Sequence, residues 1–248
     1  MNFIGIIPAR YQSTRFPGKP LALLGGKPII QWVYENAKKA IAEVFVATDN
    51  ERIYQAVEAF GGKAVYTSSH HQSGTDRCAE AAGKIAEFLK FDVVINIQGD
   101  EPFIRPEQIE KLKACFSSPD TQIATLIKPI TKPDEISNIN RPKVVINKND
   151  EAMYFSRSPI PFVRDFATES WMSRHTFYSH IGMYAYRADI LPELTKLSVG
   201  ILEKAESLEQ LRWLENGYSI KTAQTTFENI GIDTPEDLEE ARKFLTKE

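Results

Sequence analysis

The chain has 248 residues, of which 42% are hydrophobic and 25% are charged, and its formal net charge at pH 7 is −3. This length and apolar content suffice for a sizeable core in one large α/β domain or two smaller ones, and they exclude a disordered chain. The mildly acidic balance, with no clustered basic face, excludes a nucleic-acid-binding protein.

No run of about 18 apolar residues is available to span a bilayer, and the N-terminus enters a strand without a charged region and a cleavable apolar segment. We therefore predict no membrane association and a cytoplasmic location. The two cysteines, Cys78 and Cys115, are not spaced as metal ligands or as a disulfide framework. We predict that both are reduced and buried.

The first hundred residues alternate between strand and helix patterns. In chain order the predicted elements are a strand at 3–7, a helix at 28–41, a strand at 44–47, a helix at 53–60, a strand at 64–66, a helix at 78–89 and a strand at 93–97. This alternation predicts an α/β fold with a Rossmann-like, doubly wound and mostly parallel sheet.

Beyond residue 120 the strand patterns at 123–130, 144–147, 153–156 and 178–186 have fewer helices between them, which predicts a mixed or antiparallel extension. Residues 158–176 lack periodicity, which predicts that they form a long functional loop or an arm that contacts another subunit. A helix is predicted at 207–216 with Gly217 at its C-terminal end. The last helix is predicted to begin with Thr234 as N-cap and Pro235 at its first position.

Three basic residues, Arg10, Arg15 and Lys19, follow the first predicted strand. In open α/β sheets, ligands bind in the crevice outside the carboxyl ends of the strands, so this loop faces that crevice. A guanidinium group can donate two parallel hydrogen bonds to phosphate oxygens, and lysine adds a mobile point charge. The pattern favours a phosphate-binding loop over the alternative of solvated surface charges.

Two carboxylates also follow apolar segments. Asp100 lies in the segment 98–102, which follows the predicted strand at 93–97, and Asp233 comes just before the last helix. Mg²⁺ is commonly held by one or two carboxylates while phosphates and water complete its shell. A turn role for Asp100 and a favourable helix-dipole position for Asp233 are the alternatives.

Other polar residues have weaker signals. Ser73 can hold a base or phosphate with the free N–H groups of the helix that it opens, or it can be an ordinary N-cap. His70 and His71 are adjacent and point apart, with no third ligand at suitable spacing. Arginines in or beside the irregular segment can capture a carboxylate; these are Arg157, Arg164 and Arg174. The sequence has no phosphate-binding P-loop, dinucleotide-binding or serine-hydrolase motif.

Seven blocks together closely resemble the 3-deoxy-manno-octulosonate (KDO) cytidylyltransferases, also called CMP-KDO synthetases, over nearly the whole chain. The blocks are PARYQSTRFPGKPL at 8–21, VATD at 46–49, HQSGTDR at 71–77, NIQGDEP at 96–102, YFSR at 154–157, LEQLR at 208–212 and DTPEDL at 233–238. The first block is shared in looser form by other sugar nucleotidyltransferases, whereas the third and fourth together are more specific. The family often has Glu at the position of Asp76, and residues 166–176 resemble nothing closely.

The resemblance implies the nucleotide-diphospho-sugar transferase fold and transfer of a cytidylyl group from CTP to KDO for lipopolysaccharide synthesis. It implies Mg²⁺ as cofactor, held by Asp100 and Asp233, and catalytic roles for Lys19, Asp100 and Asp233. The nucleotide-binding residues that it implies are Ala9, Arg10, Ser13, Arg15, Lys19, Thr48, Asp49, Ser73, Gly74, Thr75, Arg77 and Gln98. The sugar-binding residues that it implies are Gln98, Arg157, Arg164, His180, Tyr184, Glu209 and Gln210.

The chain is accordingly interpreted as a single nucleotidyltransferase domain, residues 1–248. Its expected parts are a nucleotide-binding half at 1–120, a sugar-binding and dimerisation half at 121–230, and a C-terminal helix at 231–248 that returns to the nucleotide half. The family implies a homodimer with CTP and KDO as substrates. Two alternatives stay open, a cytidylyltransferase for another acidic sugar, such as a sialic acid or 8-amino-KDO, and a catalytically silent nucleotide-binding module.

Overall fold

A computed structural model of the chain describes residues 1–12 and 14–245. The described strands are β1 (Phe3–Ala9), β2 (Leu23–Leu24), β3 (Lys27–Pro28), β4 (Glu43–Thr48), β5 (Ala64–Tyr66), β6 (Val93–Asn96), β7 (Ile123–Pro129), β8 (Lys143–Ile146), β9 (Ala152–Ser156), β10 (Tyr178–Arg187) and β11 (Ile220–Gln224). The described α-helices are α1 (Ile29–Lys38), α2 (Glu51–Ala59), α3 (Gly74–Ala86), α4 (Pro106–Cys115), α5 (Pro133–Ile136), α6 (Leu191–Leu194), α7 (Ile201–Glu206), α8 (Gln210–Glu215) and α9 (Pro235–Leu245). Single 3₁₀ segments cover Lys19–Leu21 and Thr168–Ser173.

The first of two compact units contains the described residues of Met1–Glu110, Tyr186–Thr195 and Asn229–Glu248. Its parallel strands lie in the order β6-β1-β4-β5, with Ile6 opposite Phe45 on one side and Ile4 opposite Val94 on the other. Near-continuous apolar runs form these strands because both faces of a parallel sheet are covered. The predicted α/β fold with a mostly parallel sheet is confirmed.

The last helix is held to the first unit by a small apolar cluster. Ile232, Leu238 and Ala241 are buried with Leu24 and Ile29. Thr234 accepts a hydrogen bond from the Asp237 N–H (3.2 Å), so it is the N-cap of α9 as predicted. This packing fixes the segment that carries Asp233.

The second unit contains Lys111–Ala185 and Lys196–Glu228. Within it β11 pairs in parallel with β7, whereas β8 pairs antiparallel with both β9 and β10. The predicted mixed extension is therefore confirmed, although β11 was not among the predicted strands. The expected nucleotide-binding and sugar-binding halves remain predictions.

The segment at 158–176 is mostly irregular, as predicted, but it includes the 3₁₀ segment Thr168–Ser173. Trp171 from this segment is buried in a cluster with Ile130, Ile136 and Phe177. Its indole N–H donates to the Phe166 carbonyl (3.0 Å). The segment therefore has an apolar anchor of its own.

The helix predicted at 207–216 is wrong at its start. Ser207 ends α7 in the left-handed conformation (φ 52°), so α8 begins only at Gln210. Gly217 follows α8 with φ 82°, as expected for a helix C-terminus.

Cys78 and Cys115 are buried, as predicted. Burial raises the pKa of the Cys115 thiol to about 11. Among the described residues, no helix has both the length and the apolar character required to cross a membrane.

Candidate active site

The loop that follows β1 is closed by a local hydrogen bond. The Gly18 N–H donates to the Tyr11 carbonyl (2.8 Å), and Gly18 has φ 72°, a conformation that glycine adopts without a steric cost. The Tyr11 hydroxyl accepts a hydrogen bond from Arg52 (3.1 Å). Lys19 begins the 3₁₀ segment directly after this closed turn, so its backbone is fixed.

Lys19 lies between the two predicted metal ligands. Its ammonium nitrogen is 2.6 Å from an Asp100 carboxylate oxygen and 3.0 Å from one of Asp233. The guanidinium of Arg15 contacts the other carboxylate oxygen of Asp233 at 3.1 Å. The two carboxylates therefore converge on one point, which the Lys19 ammonium occupies.

The backbone of the first unit places both carboxylates. The Asp100 carbonyl accepts a hydrogen bond from the Ile232 N–H (2.9 Å), which ties the two segments together next to Asp233. At Gly99, a Cβ atom would lie 2.9 Å from the Pro8 carbonyl oxygen, so only glycine permits this approach of the strand ends. The convergence is therefore a product of the parallel strand order.

The donor set fits a magnesium ion that is shared with a nucleotide. Two carboxylate oxygens are hard ligands of the kind that Mg²⁺ prefers, and phosphates and water would complete its octahedron. No group of three or more His, Cys, Asp or Glu side chains able to hold a metal is found within 1–12 and 14–245. A metal at this position would therefore depend on ligands from outside the protein.

The N-terminus of α3 opens onto the same region. Ser73 accepts a hydrogen bond from the Asp76 N–H (3.1 Å), and the Asp76 carboxylate accepts one from the Ser73 N–H (3.2 Å). This is a reciprocal capping box, so Ser73 is an N-cap. Arg77 in the first turn is buried, donates to the Thr67 hydroxyl (2.6 Å) and pairs with Asp49 (3.3 Å).

His71 is a site residue that the sequence analysis did not select. Its Nε2 atom contacts the Glu80 carboxylate, which also accepts from the Ser68 N–H (2.8 Å) and binds Lys84 (2.8 Å). Burial raises the pKa of Glu80, but its hydrogen bonds and the charge of Lys84 have the larger, opposite effect and lower the pKa to about 2. Glu80 thus ties the loop before α3 to the helix itself.

Lys19, the two carboxylates and the start of α3 line one cavity of about 280 Å³ in the first unit. The predicted residues in its wall are Ala9, Arg10, Arg15, Lys19, Ser73, Gly74, Arg77, Gln98, Asp100 and Asp233. The wall also includes Pro8, Thr14, Pro20, His71, Gln72 and Gly99, which the sequence analysis did not select individually. Thr48, Asp49 and Thr75 are not in the described wall, and Ser13 lies outside the described residues.

Glu101 lies beside the cavity with an unusual pKa. Burial and the neighbouring charge of Asp100 raise the pKa of Glu101 to about 8, although Asn229 donates a hydrogen bond to it. Asn229 in turn accepts from the Gln108 amide (2.7 Å). Glu101 is thus part of an internal network that supports the Asp100 turn.

The remaining predicted sugar-binding residues lie in the second unit. Arg157 donates three hydrogen bonds to carbonyl groups, to Glu206 from Nε (2.6 Å), to Ile139 from Nη1 (2.9 Å) and to Ser207 from Nη2 (3.2 Å). The side chain of Arg164 is instead 88% exposed and is 3.5 Å from Asp165. The structure therefore gives the two arginines different surroundings.

His180 and Tyr184 are neighbours, and Tyr184 and Gln210 are both buried. The His180 ring is 5.0 Å from that of Phe155 and 5.3 Å from that of Tyr184, and its Nε2 is 3.0 Å from the Thr125 hydroxyl. Burial lowers the pKa of His180 to about 3, so its ring is neutral. Gln210 is 5% exposed, and its amide nitrogen has no hydrogen-bond partner. Glu209 is the N-cap residue of α8, next to Gln210.

Comparison with known proteins shows the family to which the chain belongs. The sequence profile of the cytidylyltransferase family matches residues 4–230. A 3-deoxy-manno-octulosonate cytidylyltransferase of Phocaeicola vulgatus is 61% identical over 99% of this chain and 98% of its own length, and one of Parabacteroides distasonis is 61% identical over the same shares.

A solved structure of CMP:2-keto-3-deoxy-manno-octonic acid synthetase complexed with CTP is 43% identical, with a TM-score of 0.91 over 100% of this chain and 99% of that chain. The 4-diphosphocytidyl-2C-methyl-D-erythritol synthase of Anaerococcus prevotii is 15% identical with a TM-score of 0.60 over 99% of both chains, which shows a shared fold. The chain belongs to the cytidylyltransferase family and, within it, to the 3-deoxy-manno-octulosonate cytidylyltransferases.

Proposed function

We propose that the chain transfers CMP from CTP to KDO, forming CMP-KDO and pyrophosphate, with Mg²⁺ held by Asp100 and Asp233. The family membership supports the reaction. The observation that carries the mechanism is the convergence of both carboxylates on the Lys19 ammonium, at 2.6 and 3.0 Å, in a cavity that Arg10 and Arg15 also line.

The basic side chains of the cavity would bind the triphosphate of CTP. Arg10, Arg15 and Lys19 supply positive charge, and the N–H groups at the start of α3 add hydrogen-bond donors. When bound, Mg²⁺ would neutralise phosphate charge and lower the pKa of a hydroxyl that approaches it. Asp100 and Asp233 are the residues that would hold it.

The chemical step needs no nucleophile from the protein. The hydroxyl on the anomeric carbon of KDO attacks the α-phosphorus in line, a new C–O–P linkage forms, and the bond to pyrophosphate breaks. Positioning and charge neutralisation supply the catalysis. Lys19 and the arginines serve this step by holding the phosphates in line with the attacking oxygen.

We assign KDO recognition to the predicted sugar-binding residues, which are Gln98, Arg157, Arg164, His180, Tyr184, Glu209 and Gln210. The side chain of Arg164 is 88% exposed and its guanidinium suits a carboxylate, whereas Arg157 already donates to three carbonyl groups and would act by shaping its surroundings. The buried amide nitrogen of Gln210 is a donor available to a sugar hydroxyl. His180, Tyr184 and Glu209 complete the assigned set.

The proposal includes a cytoplasmic homodimer that activates KDO for lipopolysaccharide synthesis. The long segment at 158–176, with Phe162 75% exposed, is the part assigned to subunit contact or to closure over the substrate.

Pyrophosphate release with Mg²⁺ tests the function, with CTP, UTP and ATP each combined with KDO, 8-amino-KDO and N-acetylneuraminate. We expect release only with CTP and KDO. Release with another sugar would keep the mechanism and change the substrate. No release with any pair would favour the silent nucleotide-binding module.

A further inference from the structure

Lys19 occupies the place at which the two metal-binding carboxylates meet. Its ammonium bonds to Asp100 (2.6 Å) and Asp233 (3.0 Å) at once, and its side chain is only 13% exposed. Mg²⁺ held by Asp100 and Asp233 would use the same carboxylate groups as ligands. The ammonium and a metal ion therefore compete for one position.

Arg15, the other cation beside these carboxylates, is less suited to neutralise both of them. Arg15 contacts only Asp233, at 3.1 Å, and its side chain is 65% exposed. An exposed ion pair of this kind contributes little, since water and salt screen it. Lys19 is thus the group that satisfies both carboxylates.

Lysine can leave this position when another anion is offered. Its charge is carried on a flexible four-carbon stem, while the backbone of Lys19 is fixed by the turn at Gly18. Triphosphate oxygens in the cavity would draw the ammonium away from Asp100 and Asp233. The carboxylates would then be free to accept a metal ion.

We infer that Lys19 is an internal counterion that excludes the metal until the nucleotide binds, so that the metal is loaded with or after CTP. This inference rests on the proposed function in assigning the metal to Asp100 and Asp233. It adds an order of binding and makes Lys19 the residue that determines it.

The test measures each ligand without the other and needs no turnover. Mn²⁺ binding is followed by electron paramagnetic resonance without nucleotide, and CTP binding by calorimetry in the presence of a chelator. We expect wild-type protein to bind CTP without metal and Mn²⁺ only weakly. Lys19→Met should bind Mn²⁺ at least tenfold more tightly than wild type and metal-free CTP more weakly.

Further variants distinguish a failure of the counterion role of Lys19 from a failure of the metal-ligand assignment. Lys27→Met removes a lysine of the same unit that pairs with Glu35 (2.7 Å) outside the cavity wall, and it should bind Mn²⁺ as wild type does. Adding Asp100→Asn to Lys19→Met should abolish the gain in Mn²⁺ affinity. If the gain persists in that double variant, the carboxylate assignment of the proposed function is wrong.

Equal Mn²⁺ affinities of wild type and Lys19→Met would overturn the counterion role while leaving the proposed reaction intact. Circular dichroism checks the fold of each variant. Lys19→Gln, which keeps a polar group between the carboxylates without the charge, gives the same comparison if Lys19→Met does not fold.

Discussion

Asp100 is placed by main-chain contacts and by the close approach of Gly99 to Pro8, so its side chain can be changed without altering the strands. We expect Asp100→Ala to abolish pyrophosphate release, because one of the two convergent carboxylates is lost, while the fold is retained. Circular dichroism and thermal unfolding check the fold. Asp120→Ala, at an exposed position outside the cavity wall, is the control and should keep full activity. Turnover by a folded Asp100→Ala protein would remove Asp100 from the site.

Glu80 gives a pH-dependent prediction. Its pKa falls from the ordinary 4.5 to about 2, so its charge stabilises the folded state at every pH above about 4.5, and this contribution is lost as the pH falls through about 2. Glu80→Gln should lower the free energy of unfolding by about 1–2 kcal/mol at neutral pH. Urea unfolding between pH 2 and 7 should show this difference shrinking on the acid side.

A difference between wild type and Glu80→Gln that stays constant down to pH 2 would contradict the assigned charge. Glu58→Gln, at an exposed position on α2, controls for the loss of one surface charge. Since Glu80 holds His71 at the cavity, Glu80→Gln should also raise the KM for CTP more than it changes kcat.

At the level of single elements, the start of helix α9 is stabilised by the carboxylate of Asp237. Asp237 accepts hydrogen bonds from the N–H groups of Asp233 and Thr234, both at 2.9 Å. Burial raises the pKa of Asp237, but the hydrogen bonds from these backbone donors lower it by more, so its pKa lies below the ordinary value. Asp237→Ala should lower the free energy of unfolding by about 1 kcal/mol. Added to Lys19→Met, it should also weaken Mn²⁺ binding, because the backbone of Asp233 loses its hydrogen bond to Asp237. Glu236→Ala, exposed in the same turn, should change neither.

Lys143 in β8 joins two elements of the second unit from within the core. It is fully buried, and its ammonium donates to the carbonyls of Asn138 (2.8 Å) and Arg157 (2.6 Å). Burial lowers the pKa of Lys143, while the charge of Glu206 opposes the shift. Lys143→Met should lower the free energy of unfolding by about 1–3 kcal/mol, because both carbonyls lose their donor.

Urea unfolding measures this cost, with the exposed Lys148→Met as the matched control. A stability within experimental error of wild type would show that water or another donor satisfies the carbonyls. The KM for KDO should rise in Lys143→Met, because the backbone of Arg157 is no longer held.

The elements that sequence patterns predict best are those with one dominant local signal. Strands β1, β4 and β6 are near-continuous apolar runs, and α9 has a capping residue followed by proline. Strand β11 gives no such signal, because only Ile220 and Thr222 of its five residues are buried. Helix α4 is also missed, and its fully buried Ile109 and Leu112 lie among polar neighbours.

The site shows the same division. Arg10, Arg15, Lys19 and Asp100 can be selected because they lie in the segments that follow the apolar strands β1 and β6. The contacts of Lys19 with Asp100 and Asp233 span 81 and 214 positions, and no local pattern encodes a pairing over such a separation. His71 is missed because its partner Glu80 lies on the following helix and only the folded loop brings them together.

For the molecule as a whole, the predicted homodimer is checked by light scattering, which should give about twice the chain mass of 28.1 kDa. Phe162→Asp, which charges the most exposed aromatic side chain of the 158–176 segment, should shift the protein towards the mass of one chain. A monomeric wild-type protein with full activity would contradict the dimer.

The chain order of the first unit has a consequence for biosynthesis. That unit is assembled from three separate stretches of sequence, and the last of them brings Ile232 and Leu238 to cover Leu24 and Ile29. Lys19 leaves the ribosome 214 residues before Asp233 does. A nascent chain that stops short of this last stretch leaves an apolar surface open and has half of the acidic pair. Translation of this stretch therefore buries that surface and supplies the second carboxylate that contacts Lys19, so products truncated before it expose hydrophobic surface to chaperones and proteases and lack Asp233.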